Sequence, residues 1–121
     1  MPRNSRKVRA WQLADDLTIA VYELTARFPR HEVYGLTQQL RRAAVSVPSN
    51  IAEGCRRESK ADYLRLCDIA RGSLSELRYQ LHLAHRLRYI PDAECAGLEE
   101  QAEAVAKTLH GLMESVRRES R

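Results

Sequence analysis

Two arginine pairs, Arg41-Arg42 and Arg56-Arg57, and the polar run between them are the residues of this chain whose types and spacing can do chemistry. A guanidinium is a permanent planar cation whose fork of N–H donors matches phosphate oxygens. Arg41, Arg42, Arg56 and Arg57 are therefore the candidate nucleic-acid contacts. On a helix turning about 100° per residue, Arg42, Ser46, Ser49 and Glu53 fall within roughly 60° of one another. Leu36, Leu40, Ala43, Val47 and Ile51 gather within about 80° on a different side. One side is for packing and the other for polar contact. A polar set taken out of water has to be paired, and its pairing fixes one register. Arg42, Ser46, Asn50 and Glu53 are thus expected to form a hydrogen-bonded set within the bundle or between identical copies, with Glu76 and Gln80 of the next helix as opposing partners. The plainer alternative for each charge is a solvated helix surface or an exposed ion pair.

Other constellations are thinner. His82 and His85 could hold a metal from one helical face, but no carboxylate or cysteine stands at matching local spacing, so no metal site is expected. Arg78 and His85, seven residues apart on one helix, are a pair that an arginine-rich helix produces by chance. His31 and His110 read as solvent-side residues. Cys55, Cys67 and Cys95 are odd in number and widely spaced, which suits reduced thiols better than a disulfide framework. No phosphate-binding glycine loop, nucleophile elbow or Ser/His/Asp arrangement can be assembled, so neither an enzyme nor a cofactor is expected.

These residues must be positioned by helices. Trp11, Ala14, Leu17, Val21, Leu24 and Phe28 recur at spacings of three and four, which predicts a first helix over about 9–27, closed by Phe28-Pro29. The second helix, about 35–54, contains Pro48, which cannot donate to the Ala44 carbonyl. The helix should kink or restart there, with Ser46, Ser49 or Asn50 serving the freed carbonyl and Gly54 ending the segment. Ser59, with Asp62 three residues on, caps a third helix over about 59–87, whose apolar side runs from Tyr63 to Ala84. Gly72-Ser73 in its middle invites close approach by a neighbour. Asp92 reads as the cap of a fourth helix, about 92–117, with Leu98, Ala102, Val105, Leu109, Leu112 and Val116 as its seam. Four helices with short links predict an all-α, antiparallel up-down-up-down bundle filling 1–121 as one domain.

Charge adds a mild bias. The chain of 121 residues has 20 Lys and Arg against 16 Asp and Glu, a net +4, with basic residues clustered at Arg3, Arg6, Lys7 and Arg9, at the two arginine pairs, and at Arg117, Arg118 and Arg121. Such clusters can meet phosphates, although most charge runs on helical proteins are simply solvated. The longest uncharged run, Ala43 to Ala52, is too short and polar to span a bilayer, and the N-terminus lacks the apolar core of a secretion signal. A cytoplasmic protein without membrane contact is expected.

The run from Phe28 to Leu87 carries Phe28-Pro29, Glu32-x-Tyr34-Gly35-Leu36, Gln39-Leu40-Arg41-Arg42-Ala43, Ser46-x-Pro48-x-Asn50-Ile51-Ala52-Glu53-Gly54, Tyr63 and Ser73-Leu74-x-Glu76-Leu77. In this combination it resembles the four helix bundle proteins of the S23 type, also called 23S rRNA intervening-sequence proteins. The resemblance implies a four-helix subunit assembling into a homopentamer. It also implies similarity to the accessory variability proteins of diversity-generating retroelements, basic pentamers that engage nucleic acid and a reverse transcriptase. The expected function is non-enzymatic binding of RNA or DNA by a homo-oligomer with little sequence selectivity. The alternative is an adaptor for a protein partner such as a reverse transcriptase. A remote one rests on the Arg78-x6-His85 spacing, which also occurs in HEPN-type RNases. Where the family has a glycine in the turn after the third helix, Leu87-Arg88-Tyr89 stands here, and since arginine resists positive φ the helix is expected to end differently.

Overall fold

Each of the four amphipathic segments is helical in the computed structural model, which describes residues 3–119. Helix α1 spans Arg9–Thr25, α2 Leu36–Cys55, α3 Lys60–Arg86 and α4 Asp92–Arg118, with short 3-10 turns at Ser5–Lys7 and Arg30–Glu32. Each helix packs against its sequence neighbours, α1 closes the square by packing on α4, and the backbones of the diagonal pairs stay more than 8 Å apart. The contacts run antiparallel: Lys60 meets Arg117, Arg78 meets Glu99 and Glu103, and His85 meets Asp92 along α3 and α4. The core is the meeting of four apolar stripes, with Leu17 and Val21 of α1, Leu40, Val47 and Ile51 of α2, Leu74, Leu77 and Leu81 of α3, and Val105, Leu109 and Met113 of α4 all almost wholly buried. On α4 the seam steps from Leu109 to Met113, and Leu112, the expected member, stays half-buried at its edge.

Pro48 neither stops nor restarts α2, which runs unbroken around it. The Ala44 carbonyl that Pro48 cannot serve accepts a hydrogen bond from Thr18 Oγ1 of α1 at 3.0 Å. The same hydroxyl lies 2.8 Å from the Ala14 carbonyl of its own helix, so one proton is shared between two acceptors. The expected local donors, Ser46, Ser49 and Asn50, do not fill this role; a hydroxyl of the neighbouring helix α1 does.

Two glycines and one arginine also act differently from expectation. Gly54 is not a left-handed terminus. It is a buried helical residue whose added Cβ would stand 2.9 Å from Cδ1 of Tyr63, so α2 and α3 approach closely there. A Cβ on Gly72 would meet nothing within 4 Å, because that residue faces solvent. Arg88 does adopt positive φ, at 68°. Tyr89 N–H donates to the Ala84 carbonyl at 3.0 Å and Arg88 N–H to the His85 carbonyl at 2.9 Å, the paired bonds of a Schellman motif. The helix thus ends as it would with a glycine, at the steric cost of a side chain in that region.

Caps complete the frame. Ser59 Oγ accepts from Asp62 N–H at 3.0 Å. Asp92 is the first residue of α4 rather than its cap; Pro91 precedes it, and the Asp92 carboxylate turns to His85 Nε2 at 2.6 Å. The start of α2 is held by Glu32, whose Oε1 accepts from Leu36 N–H at 3.0 Å and whose Oε2 accepts from the Tyr89 hydroxyl at 2.9 Å. A Cβ on Gly35 would fall 2.7 Å from that Oε1, so the Glu32-x-x-Gly35-Leu36 motif is a cap together with the space it needs. The two hydrogen bonds, that from Leu36 first, hold the Glu32 carboxyl below the usual carboxylate range.

Candidate nucleic-acid interface

At one end of the bundle the fold gathers basic clusters that are far apart in sequence. Arg3 N–H donates to the Cys55 carbonyl at 2.7 Å, which fastens the N-terminal arm across the end of α2. The Arg3 guanidinium lies 5.0 Å from the centre of the Tyr63 ring, donates to the Tyr63 hydroxyl at 3.2 Å and pairs with Glu119. The 3-10 turn of this arm, which carries Arg6 and Lys7, packs against α2, so these residues share an end of the bundle with Arg56 and Arg57. Lys60 Nζ donates to the Arg117 carbonyl at 2.9 Å and draws in the last turn of α4. Residues 3–9, 53–62 and 114–119 together hold nine Lys and Arg against five Asp and Glu, so this end carries the basic excess of the described residues. Arg57 is paired with Glu53 at 2.6 Å and Arg117 with Glu114 at 2.8 Å. Arg6, Lys7, Arg56 and Arg118 are exposed and have no carboxylate partner among the described residues. Arg121, expected in this cluster, lies outside the described residues.

Beneath this surface the groups are inert. Burial, followed by a contact with Cys55 Sγ at 3.4 Å, raises the Tyr63 phenol far above its ordinary range. Burial pushes the Cys67 thiol up to about 12, so it stays protonated at neutral pH.

Arg41 and Arg42 are placed elsewhere, on the flank formed by α1 and α2. Arg41 Nε donates to Thr25 Oγ1 at 2.8 Å, its Nη2 donates to the Tyr22 carbonyl at 3.3 Å, and the guanidinium lies 4.5 Å from the centre of the Tyr22 ring. Arg42 is exposed on a ridge between two grooves. The first, of about 580 Å³, runs between α1 and α2 and is walled by Tyr22, Val33 and Val45. The second, of about 290 Å³, lies between α2 and α3 and is lined by Arg42, Ser46, Ser73, Glu76 and Gln80 among others.

The second groove contains part of the expected polar set. Ser46 Oγ and Ser73 Oγ are 2.7 Å apart, and Asn50 Nδ2 donates to the Ser46 carbonyl at 2.8 Å and to Ser46 Oγ at 3.1 Å. Within the subunit this chain of bonds does not reach Arg42, Glu53 or Glu76: Glu53 turns to Arg57, while Arg42 and Glu76 are exposed without an ion pair among the described residues. Gln80 is only 6% exposed, and its Oε1 has no hydrogen-bond partner among the described residues. Ser73 is the opposing partner that sequence reasoning missed. Its place one turn before Glu76 on the same helix was the available signal.

Arg78, half of the arginine–histidine pair, donates to Glu99 at 2.9 Å and to Glu103 at 3.1 Å, and the bond to Glu99 is the leading cause that raises its pKa. His85 faces Asp92, and the His82 ring lies 6.1 Å from that of Tyr79. Among the described residues no three His, Cys, Asp or Glu side chains gather so as to hold a metal ion, and no helix is long and apolar enough to cross a membrane.

The model of the 23S rRNA-intervening sequence protein family matches residues 6–111. A crystal structure of a protein of unknown function from the S23 ribosomal protein family, from Bacteroides thetaiotaomicron VPI-5482, superimposes with a TM-score of 0.77 at 20% identity. The match covers 86% of this chain and 97% of that one, a likeness of fold. No curated protein matches the chain.

Proposed function

The chain belongs to the 23S rRNA-intervening sequence protein family, and we propose that it binds RNA or DNA with little sequence selectivity, as a ring of identical copies, through its basic end. The observation that carries this reading is the convergence of the N-terminal arm, the α2–α3 junction and the last turn of α4 on one end, with Arg6, Lys7, Arg56 and Arg118 left without carboxylate partners there among the described residues. One such end is a weak field. In a homopentamer the end repeats around an axis and the subunit charge of +4 is multiplied fivefold, which gives a coherent surface for a polyanion. Contacts to phosphate rather than to base edges explain why little selectivity is expected.

The test is the salt dependence of binding. Affinity for an RNA or DNA duplex of arbitrary sequence falls steeply as salt rises. Replacing Arg6 and Arg56 by Ala weakens binding about equally for all sequences and flattens the salt slope by about one for each phosphate that is no longer neutralised. Binding that ignores salt, or no binding to either nucleic acid, removes the proposal.

A second reading, an assembly module that docks other copies or a protein partner, is favoured by the α2–α3 groove. Among the described residues its buried Gln80 oxygen meets no donor, and Arg42 and Glu76 beside it have no ion-pair partner. The two readings are compatible, since assembly by this flank leaves the basic end open.

A further inference from the structure

The groove between α1 and α2 shares only Arg42 and Ser46 with the α2–α3 groove, and its chemistry is different. Tyr22, Val33 and Val45 stand 41%, 51% and 39% exposed around it, three large apolar side chains held together at the surface. Arg41 is fixed at its edge before any ligand arrives: two of its N–H groups are spent on Thr25 Oγ1 and the Tyr22 carbonyl, its guanidinium carbon lies over the Tyr22 ring 4.5 Å from the centre, and its remaining N–H groups are available. Arg42 follows it on the rim, with no carboxylate partner for either arginine among the described residues. An apolar wall, a tyrosine–arginine contact and two adjacent uncompensated cations make a poor seat for an apolar protein helix, which would bury the cations unpaired. They match a planar base joined to a phosphate.

We infer that this groove binds an unpaired nucleotide of a single strand, with the base on the Tyr22–Arg41 pair against Val33 and Val45 and the phosphate on Arg42. The inference rests on the nucleic-acid reading and adds a preference that the basic end does not supply, for single strands over duplexes, because only an unstacked base can enter. The groove volume of about 580 Å³ lies within the range of small-ligand sites.

The test is fluorescence anisotropy with a labelled single-stranded RNA of about twelve nucleotides and the same sequence as a duplex, on the full chain, alongside its mass in solution. Tyr22→Leu keeps the apolar bulk but removes the stacking face. It weakens single-strand binding about tenfold and leaves duplex binding unchanged, while Tyr22→Phe binds both as the unaltered chain does. Arg56→Ala weakens both ligands and thereby reports on the basic end alone. If Tyr22→Leu binds the single strand normally while Arg56→Ala weakens both, the groove assignment is overturned and the broader reading stands. If the unaltered chain binds neither ligand, both are overturned. A change of mass with Tyr22→Leu makes the groove an interface between copies and overturns the nucleotide assignment.

Discussion

One hydroxyl proton of α1 serves the carbonyl that a proline leaves free in α2. Pro48 leaves the buried Ala44 carbonyl without its intrahelical donor, and Thr18 of α1 supplies the bond. Thr18→Val keeps the shape and removes the proton, so it is expected to cost about 1–3 kcal/mol, the penalty of an unsatisfied buried acceptor. Pro48→Ala restores a backbone N–H at that position, and in its background the cost of Thr18→Val should largely vanish. Urea denaturation of the four proteins of this double-mutant cycle measures the coupling, and additive costs would contradict it. The sequence announced the orphan through Pro48 but could not say who serves it, since Ala44 and Thr18 are 26 residues apart and meet only when α1 lies on α2. Arg88 teaches the converse. Its side chain argued against a left-handed turn, yet two backbone bonds to the end of α3 and the packing of Tyr89 against Phe28, ring centres 5.3 Å apart, hold that conformation.

At the scale of elements, the helices themselves were legible because each carries an apolar stripe of helical period, and the predicted bounds differ from those observed by at most two residues. Caps that act within one turn were legible too, as at Ser59. The cap at Glu32 was not, because its second partner, Tyr89, arrives from the far side of the bundle. This cap has a pH signature. The Glu32 carboxyl titrates lower in the folded chain than in the unfolded one, so the carboxylate's contribution is complete above the ordinary carboxylate range and is lost as pH falls through the depressed folded value. Glu32→Gln can still accept from Leu36 N–H but does not titrate. Its acid-unfolding curve, followed by circular dichroism from neutral to strongly acidic pH, should therefore be flatter than that of the unaltered chain, and parallel curves would remove Glu32 from the acid response.

For the whole molecule, packing rather than sequence decides which charges meet. Four arginines were singled out as one contact set, and the fold sends Arg56 and Arg57 to the basic end and Arg41 and Arg42 to a flank, because the second helix separates them by most of its length. The α2–α3 flank poses the remaining question, since a subunit that buries the Gln80 oxygen without a donor is destabilised unless something outside it supplies one. If that donor comes from another copy, Gln80→Leu has two opposite effects. The isolated subunit gains about 1 kcal/mol, because an unpaired buried acceptor is replaced by an apolar side chain, while assembly weakens, because the neighbour's donor is left facing hydrocarbon. Sedimentation across a dilution series reads the second effect, and urea denaturation at the dilute limit reads the first. An oligomer that forms as readily with leucine at this position would show that the groove is not where the copies join.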